Sequence, residues 1–228
     1  MAVQKNSGGP FADRRDAGRQ LAERLVSLAL DEPVVVALPR GGVPVAKEVA
    51  EALGAPLEIL AVRKIGTPHN PEYGIGALTE DGTLVIDPEA IAVLRIRNGE
   101  LDAIVARETE ELSRRVRAYR GDRPPLDLEG RTVIVVDDGV ATGVTDTAAL
   151  RAARRQKPQR LILAVPVCVP EALERLRKEA DQVVCLRTPR RLRGVSQHYD
   201  DFSQVSDEEV LDTLRLHGLR EGEAATRT

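Results

Sequence analysis

The chain has 228 residues, a formal net charge of -3 and 30% charged residues of both signs. That length fits one domain of ~100–200 residues with an appendage, large enough to bury a core without staples. Two cysteines, Cys168 and Cys185, argue against an oxidised secreted scaffold, and the mixed charge leaves no global basic field for nucleic acid. No apolar run approaches the ~20 residues of a membrane span, and Met1 to Pro10 lacks the apolar region of a signal peptide. The expectation is a cytoplasmic globular protein with neither membrane nor nucleic acid as partner.

Residues 1–10 read as a polar, mobile arm. Ala17, Leu21, Leu25, Leu28 and Ala29 then recur at helical spacing, and Pro33 closes that region. Residues 34–38 form a continuous apolar run, the pattern of a strand buried on both faces. The loop Pro39-Arg40-Gly41-Gly42 leads into a helix over Val43 to Leu53, with Gly54 at its end. Leu57 to Val62 is a second buried strand. This succession predicts parallel strands and a right-handed crossover.

Arg63 to Tyr73 holds Gly, two Pro, Asn and His without a hydrophobic period, so it reads as a long loop and a functional candidate. Ile75 to Ile86 suggests two short strands turning at Asp81-Gly82. A short helix at Pro88 to Leu94 follows. Leu101, Ile104, Val105, Leu112, Val116 and Tyr119 mark a long amphipathic helix. Glu110 with Arg114, and Glu111 with Arg115, are spaced to pair along it.

Thr132 to Val136 is a third buried strand and Thr145 to Arg155 a helix. Leu161 to Val167 is a fourth strand, Glu171 to Lys178 a helix, and Val183 to Leu186 a fifth strand. The period is lost from Thr188 to Gln204. Ser206 and Glu209 form a capping box with Val205 and Val210 as its staple, opening a terminal helix to about Leu216. Residues 221–228 read as a tail. The pattern is α/β: an open, mainly parallel five-strand sheet flanked by helices.

The strongest chemical signal runs from Val133 to Thr145. An apolar strand delivers Asp137 and Asp138 to its carboxyl end, and Gly139-Val140-Ala141-Thr142-Gly143-Val144-Thr145 turns into a helix. Ligands of open α/β sheets bind at the carboxyl ends of strands. Small residues let backbone N–H groups approach an anion, and the helix N-terminus favours negative charge. The loop is therefore built for a phosphate, and the acids suit sugar hydroxyls or a hydrated Mg²⁺. No Gly-Lys-Ser/Thr closes it, so it is not a Walker loop, and Gly74-Ile75-Gly76 is a fragment rather than a cofactor box.

This segment resembles the 5-phosphoribosyl-1-pyrophosphate (PRPP) motif of type I phosphoribosyltransferases. Other landmarks of the family follow in order. Pro39, Arg40, Gly41 and Gly42 resemble its pyrophosphate loop, in which Pro39–Arg40 corresponds to a frequent cis non-proline bond. Arg63 and Lys64 through Tyr73 resemble the flexible catalytic loop. Arg63, Lys64 and His69, with Tyr199-Asp200-Asp201-Phe202, are further similar to an uncharacterised subgroup of phosphoribosyltransferase-domain proteins.

The resemblance implies a single domain over 11–220. Its core is at about 34–186, its small hood comes from 11–30 and 188–216, and the ends are mobile. It implies a PRPP-dependent pentosyltransferase, a glycosyltransferase of nucleoside metabolism, that uses Mg²⁺ and releases pyrophosphate. Asp137, Asp138, Lys64 and Arg40 would be catalytic, with the two acids meeting Mg²⁺ through PRPP and water. Residues Gly139 to Thr145 would hold the 5-phosphate. Pro39, Arg40, Gly41, Gly42, Arg63, Lys64 and His69 would hold pyrophosphate. A homodimer, the common assembly of the family, stays open.

Two departures narrow the acceptor. Thr67 stands where orotate-type loops carry a second Lys, and Ala141 stands where purine-type members carry an Asp. The first weakens an orotate assignment and the second disfavours hypoxanthine and guanine; pyrimidine-like, adenine-like and non-base acceptors stay open. Tyr199 and Phe202, two of only five Phe and Tyr residues, either stack on the acceptor in the hood or anchor the terminal helix. Arg190, Arg191 and Arg193 form either a solvated face or a site for an anionic acceptor. A non-catalytic PRPP or nucleotide sensor and a phosphoribosyl hydrolase are the rival functions.

Overall fold

The apolar runs of the sequence become central strands because both of their faces are covered. The computed structural model describes residues 9–68, 74–121, 123–190 and 194–225. Strands β1 (Pro33–Ala37), β2 (Leu57–Ile59), β6 (Thr132–Val136), β7 (Arg160–Val167) and β8 (Gln182–Arg187) form one parallel sheet in the order β2-β1-β6-β7-β8. Val35 lies opposite Ile134, and Ile134 opposite Ile162, so alternate residues fall into two layers.

On one face, Val35, Ala37, Ile134, Val136 and Ile162 pack against α1 (Arg14–Val26), α2 (Gly42–Leu53) and α7 (Asp207–Ala225). On the other, Val34, Val36, Val133, Leu161 and Leu163 pack against α5 (Val144–Arg155) and α6 (Pro170–Leu176). Each such Val, Ile or Leu side chain contributes ~1.5–3 kcal/mol of burial. Gly54 ends α2 in the left-handed region, at φ 59°.

A second, antiparallel sheet holds β3 (Val62–Gly66), β4 (Gly74–Thr79) and β5 (Leu84–Ile86). It packs Ile65, Ile75 and Leu78 against Ile104 and Leu112 of α4 (Asn98–Arg120), which α3 (Pro88–Leu94) precedes. Asp81 braces the expected β4–β5 turn by accepting the Thr83 N–H, and Gly82 takes φ 81°.

Several expectations need correction. The second predicted strand is split: the chain leaves the parallel sheet after Ile59 and re-enters pairing at Val62 in the other sheet. The first part of the expected loop at Arg63 to Tyr73 is thus strand β3, formed because β4 offers it an antiparallel partner. On α4, Glu111 takes both Arg114 and Arg115, rather than Glu110 taking Arg114. The terminal helix does not stop near Leu216 but continues to Ala225, so residues 221–225 are helical. Its capping box forms as predicted, with Ser206 and Glu209 exchanging hydrogen bonds of 2.9 and 3.1 Å.

Helices α1 and α7 bury their apolar stripes in the main layer. Phe11, Ala17 and Tyr199, with Leu186, Val195 and Phe202 against them, gather in a separate cluster. The mobile arm assigned to 1–10 falls mostly on residues 1–8, outside the described residues, as do 226–228 of the tail. No helix among the described residues is long and apolar enough to cross a membrane.

Candidate active site

The chain's direction of winding reverses between β1 and β6. Helix α2 follows β1 onto one face, whereas α5 follows β6 onto the other. Loops leaving adjacent strands to opposite faces open a crevice at their carboxyl ends, where ligands of open α/β sheets bind. Both candidate phosphate loops sit there.

After β1, Leu38 donates its N–H to the Val136 carbonyl at 2.9 Å, which carries the chain alongside the end of β6. Pro39–Arg40 is a cis peptide, as the resemblance implies. Gly41 and Gly42 are required by close approach. A Cβ on Gly41 would lie 2.1 Å from Asp138 Oδ2, and one on Gly42 would lie 2.6 Å from the Val136 carbonyl oxygen. The two motifs, about a hundred positions apart in sequence, thus share one wall.

After β6, Asp137 and Asp138 stand at the strand end. Asp137 Oδ1 accepts the Asp138 N–H at 2.8 Å. Burial pushes the Asp137 carboxyl well above its usual range, and the negative charges of Asp138 and Asp146 push the same way. Burial also raises Asp138, but the Arg14 guanidinium opposes it, donating from Nε to Asp138 Oδ2 at 2.7 Å.

Val140 is then pinned to the end of β7: its N–H meets the Val167 carbonyl at 2.8 Å and its carbonyl accepts from Val169 at 3.3 Å. Ala141 and Thr142 are exposed. Gly143 takes φ 72° and starts α5. Arg175 holds the loop from α6 by donating to the Thr142 carbonyl at 2.6 Å. The N–H groups of Ala141, Thr142, Gly143, Val144 and Thr145 have no acceptor among the described residues. Five unpaired donors at a helix N-terminus make a cradle for an oxyanion.

A cover lies over Asp138. Phe11 and Tyr199 form a bridge, with Phe11 donating to the His198 carbonyl and Asp200 donating to the Phe11 carbonyl, both at 2.8 Å. Tyr199 donates its hydroxyl to the Asp138 carbonyl at 2.6 Å. Its ring lies between Phe11 and Phe202, with centroids 5.3 and 5.0 Å away. Tyr199 is therefore an anchor, because both neighbours cover it; it is not a free stacking platform.

The cationic residues divide. Arg40 lies in the loop after β1, with Nη1 3.8 Å from Asp207 Oδ1 at the start of α7. Asp207 also accepts the Tyr119 hydroxyl. Arg63 does not sit on a loop: its guanidinium binds Glu108 of α4, with Nε at 2.9 Å from Oε2. Lys64 is exposed on β3. His69 and the rest of 69–73 lie outside the described residues, as do Arg191 and Arg193; Arg190 is exposed. Cys168 is buried beside Val140, and burial pushes its thiol far up, as suits a small core residue.

Three residues of the site were not anticipated. Arg14 and Arg175 reach it from remote helices and leave no local sequence signal. Asp146 is buried in the first turn of α5 with Oδ1 unpartnered. Its signal was available: an acid one position past the Thr-rich loop, on the side of the helix that repeats toward Leu150 and Ala153. Among the described residues no group of three or more His, Cys, Asp or Glu is arranged to hold a metal ion.

Comparisons with known proteins agree with this fold. A family model described as the phosphoribosyl transferase domain matches residues 13–200. The chain is 45% identical over 208 residues to a Mycobacterium tuberculosis protein provisionally named a phosphoribosyl transferase, a match covering 91% of this chain and 47% of that protein. The chain thus spans about half the length of the curated relatives it matches. It is 46% identical to the solved protein TT1426 of Thermus thermophilus, covering 90% of this chain and 97% of that one with a TM-score of 0.75. The AQ2163 protein of Aquifex aeolicus shares the fold at 15% identity, with a TM-score of 0.50 over 88% of this chain and 84% of that one.

Proposed function

The chain belongs to the phosphoribosyl transferase domain family, and from that premise we propose that it transfers a 5-phosphoribosyl group from PRPP to a nitrogenous acceptor and releases pyrophosphate. The observation that carries this reading is the row of five unpaired N–H groups at Ala141 to Thr145, beside two strand-end carboxylates. The row would take the 5-phosphate. Binding energy from that remote group positions the reacting carbon, which is how an enzyme lowers the entropic part of a barrier.

Asp137 and Asp138 would accept the ribose hydroxyls and oppose the positive charge that develops on the sugar in an oxocarbenium-like transition state. Arg14 and the Tyr199 hydroxyl fix the backbone and carboxylate of Asp138 for this task. The leaving pyrophosphate would lie along Pro39 to Gly42, whose glycines keep the backbone close to the acids, with Arg40 and Lys64 adding positive charge.

The donor set fits a Mg²⁺ that arrives with the substrate. Two adjacent carboxylates are present, but one oxygen of Asp138 is already taken by Arg14, so the protein alone offers no cage. When bound, the ion would neutralise pyrophosphate charge. The chain's own part is to hold the sugar and keep water from its reacting carbon.

The test is pyrophosphate release from PRPP, followed with Mg²⁺ over a panel of bases and amines. Release should depend on one acceptor, and Asp137→Asn with Asp138→Asn should reduce it by ~100-fold or more in a folded protein. Full release by the double variant would refute these roles. Release without any acceptor would instead make the protein a hydrolase, and PRPP binding without release would make it a sensor.

A further inference from the structure

What faces Asp138 from the cover is a guanidinium rather than an aromatic ring. Arg14 lies between the two: its Nε is 2.7 Å from Asp138 Oδ2, and its guanidinium carbon sits 3.7 Å over the Phe202 centroid. Its Nη1 donates to the Ser203 carbonyl at 2.8 Å, which fixes the plane. The remaining N–H groups of the fork have no partner among the described residues. Phe11 is fully buried, with the Arg187 guanidinium 3.5 Å over its ring, and Tyr199 is enclosed between the two phenylalanines. A nucleobase entering above Asp138 therefore finds no ring face to stack on without displacing Arg14.

Ala141, at the start of the donor row, is exposed and its side chain is uncharged. Nothing there repels a negative acceptor. Asp137 and Asp138 do repel one, and Arg14 is the cation placed to offset them. A planar fork with unused donors recognises carboxylate and phosphate oxygens in preference to neutral groups.

Resting on the transferase reading above, we propose that Arg14 determines acceptor specificity and that the acceptor is an amine bearing an oxyanion, either carboxylate or phosphate, beside its nucleophilic nitrogen. The acceptor's oxyanion takes the unused edge of the fork. Its nitrogen is thereby set over the reacting carbon of the sugar whose hydroxyls Asp138 accepts. The ring pile of Phe11, Tyr199 and Phe202 supports Arg14 and does not contact the acceptor.

The experiment has two parts. PRPP binding to the wild-type chain is first measured by calorimetry with Mg²⁺. Pyrophosphate release is then compared for matched pairs: 2-aminobenzoate against aniline for the carboxylate, O-phosphoethanolamine against ethanolamine for the phosphate, and adenine and uracil as neutral bases. The wild type should favour the anionic member of at least one pair by ~10- to 100-fold in kcat/KM, the range of a hydrogen bond to a charged group. The responding pair identifies the oxyanion. Arg14→Gln should bring that ratio close to one and Arg14→Lys should keep part of it.

A structural pin would lower every arm alike and leave the ratio intact, and that result overturns the proposal. So does a wild-type preference for a neutral base, or PRPP binding with release in no arm. Absence of PRPP binding overturns the transferase reading itself, and this inference with it.

Discussion

Asp146 is buried with one carboxylate oxygen unpartnered, and burial pushes its pKa up to about 7. In the unfolded chain an Asp titrates near ~3.9. Between these values the folded protein keeps a proton that the unfolded chain has released. Stability therefore falls as pH rises from ~4 to ~7, and the loss is complete above that. Asp146→Asn removes the penalty. Its melting temperature should exceed that of the wild type by several degrees at pH 8 and converge with it at pH 4. A difference independent of pH would contradict the assignment of a raised acid. At this scale the sequence showed the site wherever the site is contiguous: Asp137, Asp138 and the loop to Thr145 stand together in the chain. Arg14 was not legible, because its partner lies 124 positions away and an Arg near a helix start looks like any solvated charge.

The turn from β6 into α5 depends on backbone freedom at one position. Gly143 takes φ 72°, and a Cβ there would also touch Leu176, Ala172 and Val140 at 3.3 to 3.4 Å. An L-residue pays ~1–2 kcal/mol in that region. Gly143→Ala should lower the unfolding free energy by about that amount in urea and weaken phosphate binding, since the donor row turns with this residue. An unchanged midpoint would show that the loop relaxes without cost. Elements with a buried run or a cap were readable: β1, β6 and β7 from continuous Val, Ile and Leu, α7 from its Ser206–Glu209 box. Strand β3 was not, because Arg63 and Lys64 break the apolar run and only β4, across the segment 69–73, gives it a partner.

The two sheets are joined through Arg120. From the end of α4 its guanidinium donates to Glu80 Oε1 at 2.9 Å and to the Ile59 carbonyl at 3.2 Å, with Glu58 at 3.6 Å. It thus ties the antiparallel sheet to the edge of the parallel one. Burial already raises Glu80, and Arg120 opposes that rise. Arg120→Met leaves a partly buried carboxylate without its partner, which costs ~1–3 kcal/mol. Denaturation should show that loss; a change below ~1 kcal/mol would place the joint in packing alone. The parallel order of the core was legible from alternating strands and helices, whereas the second sheet was not, because its strands are short and pair only through tertiary contact.

A PRPP site at the junction of β1 and β6 is tested by calorimetric titration of PRPP in the presence of Mg²⁺. The wild-type chain should bind PRPP saturably, and the variant carrying Asp137→Asn with Asp138→Asn should bind it at least ~10-fold more weakly. No binding to the wild type, with or without Mg²⁺, would contradict the account, as would equal binding by the variant.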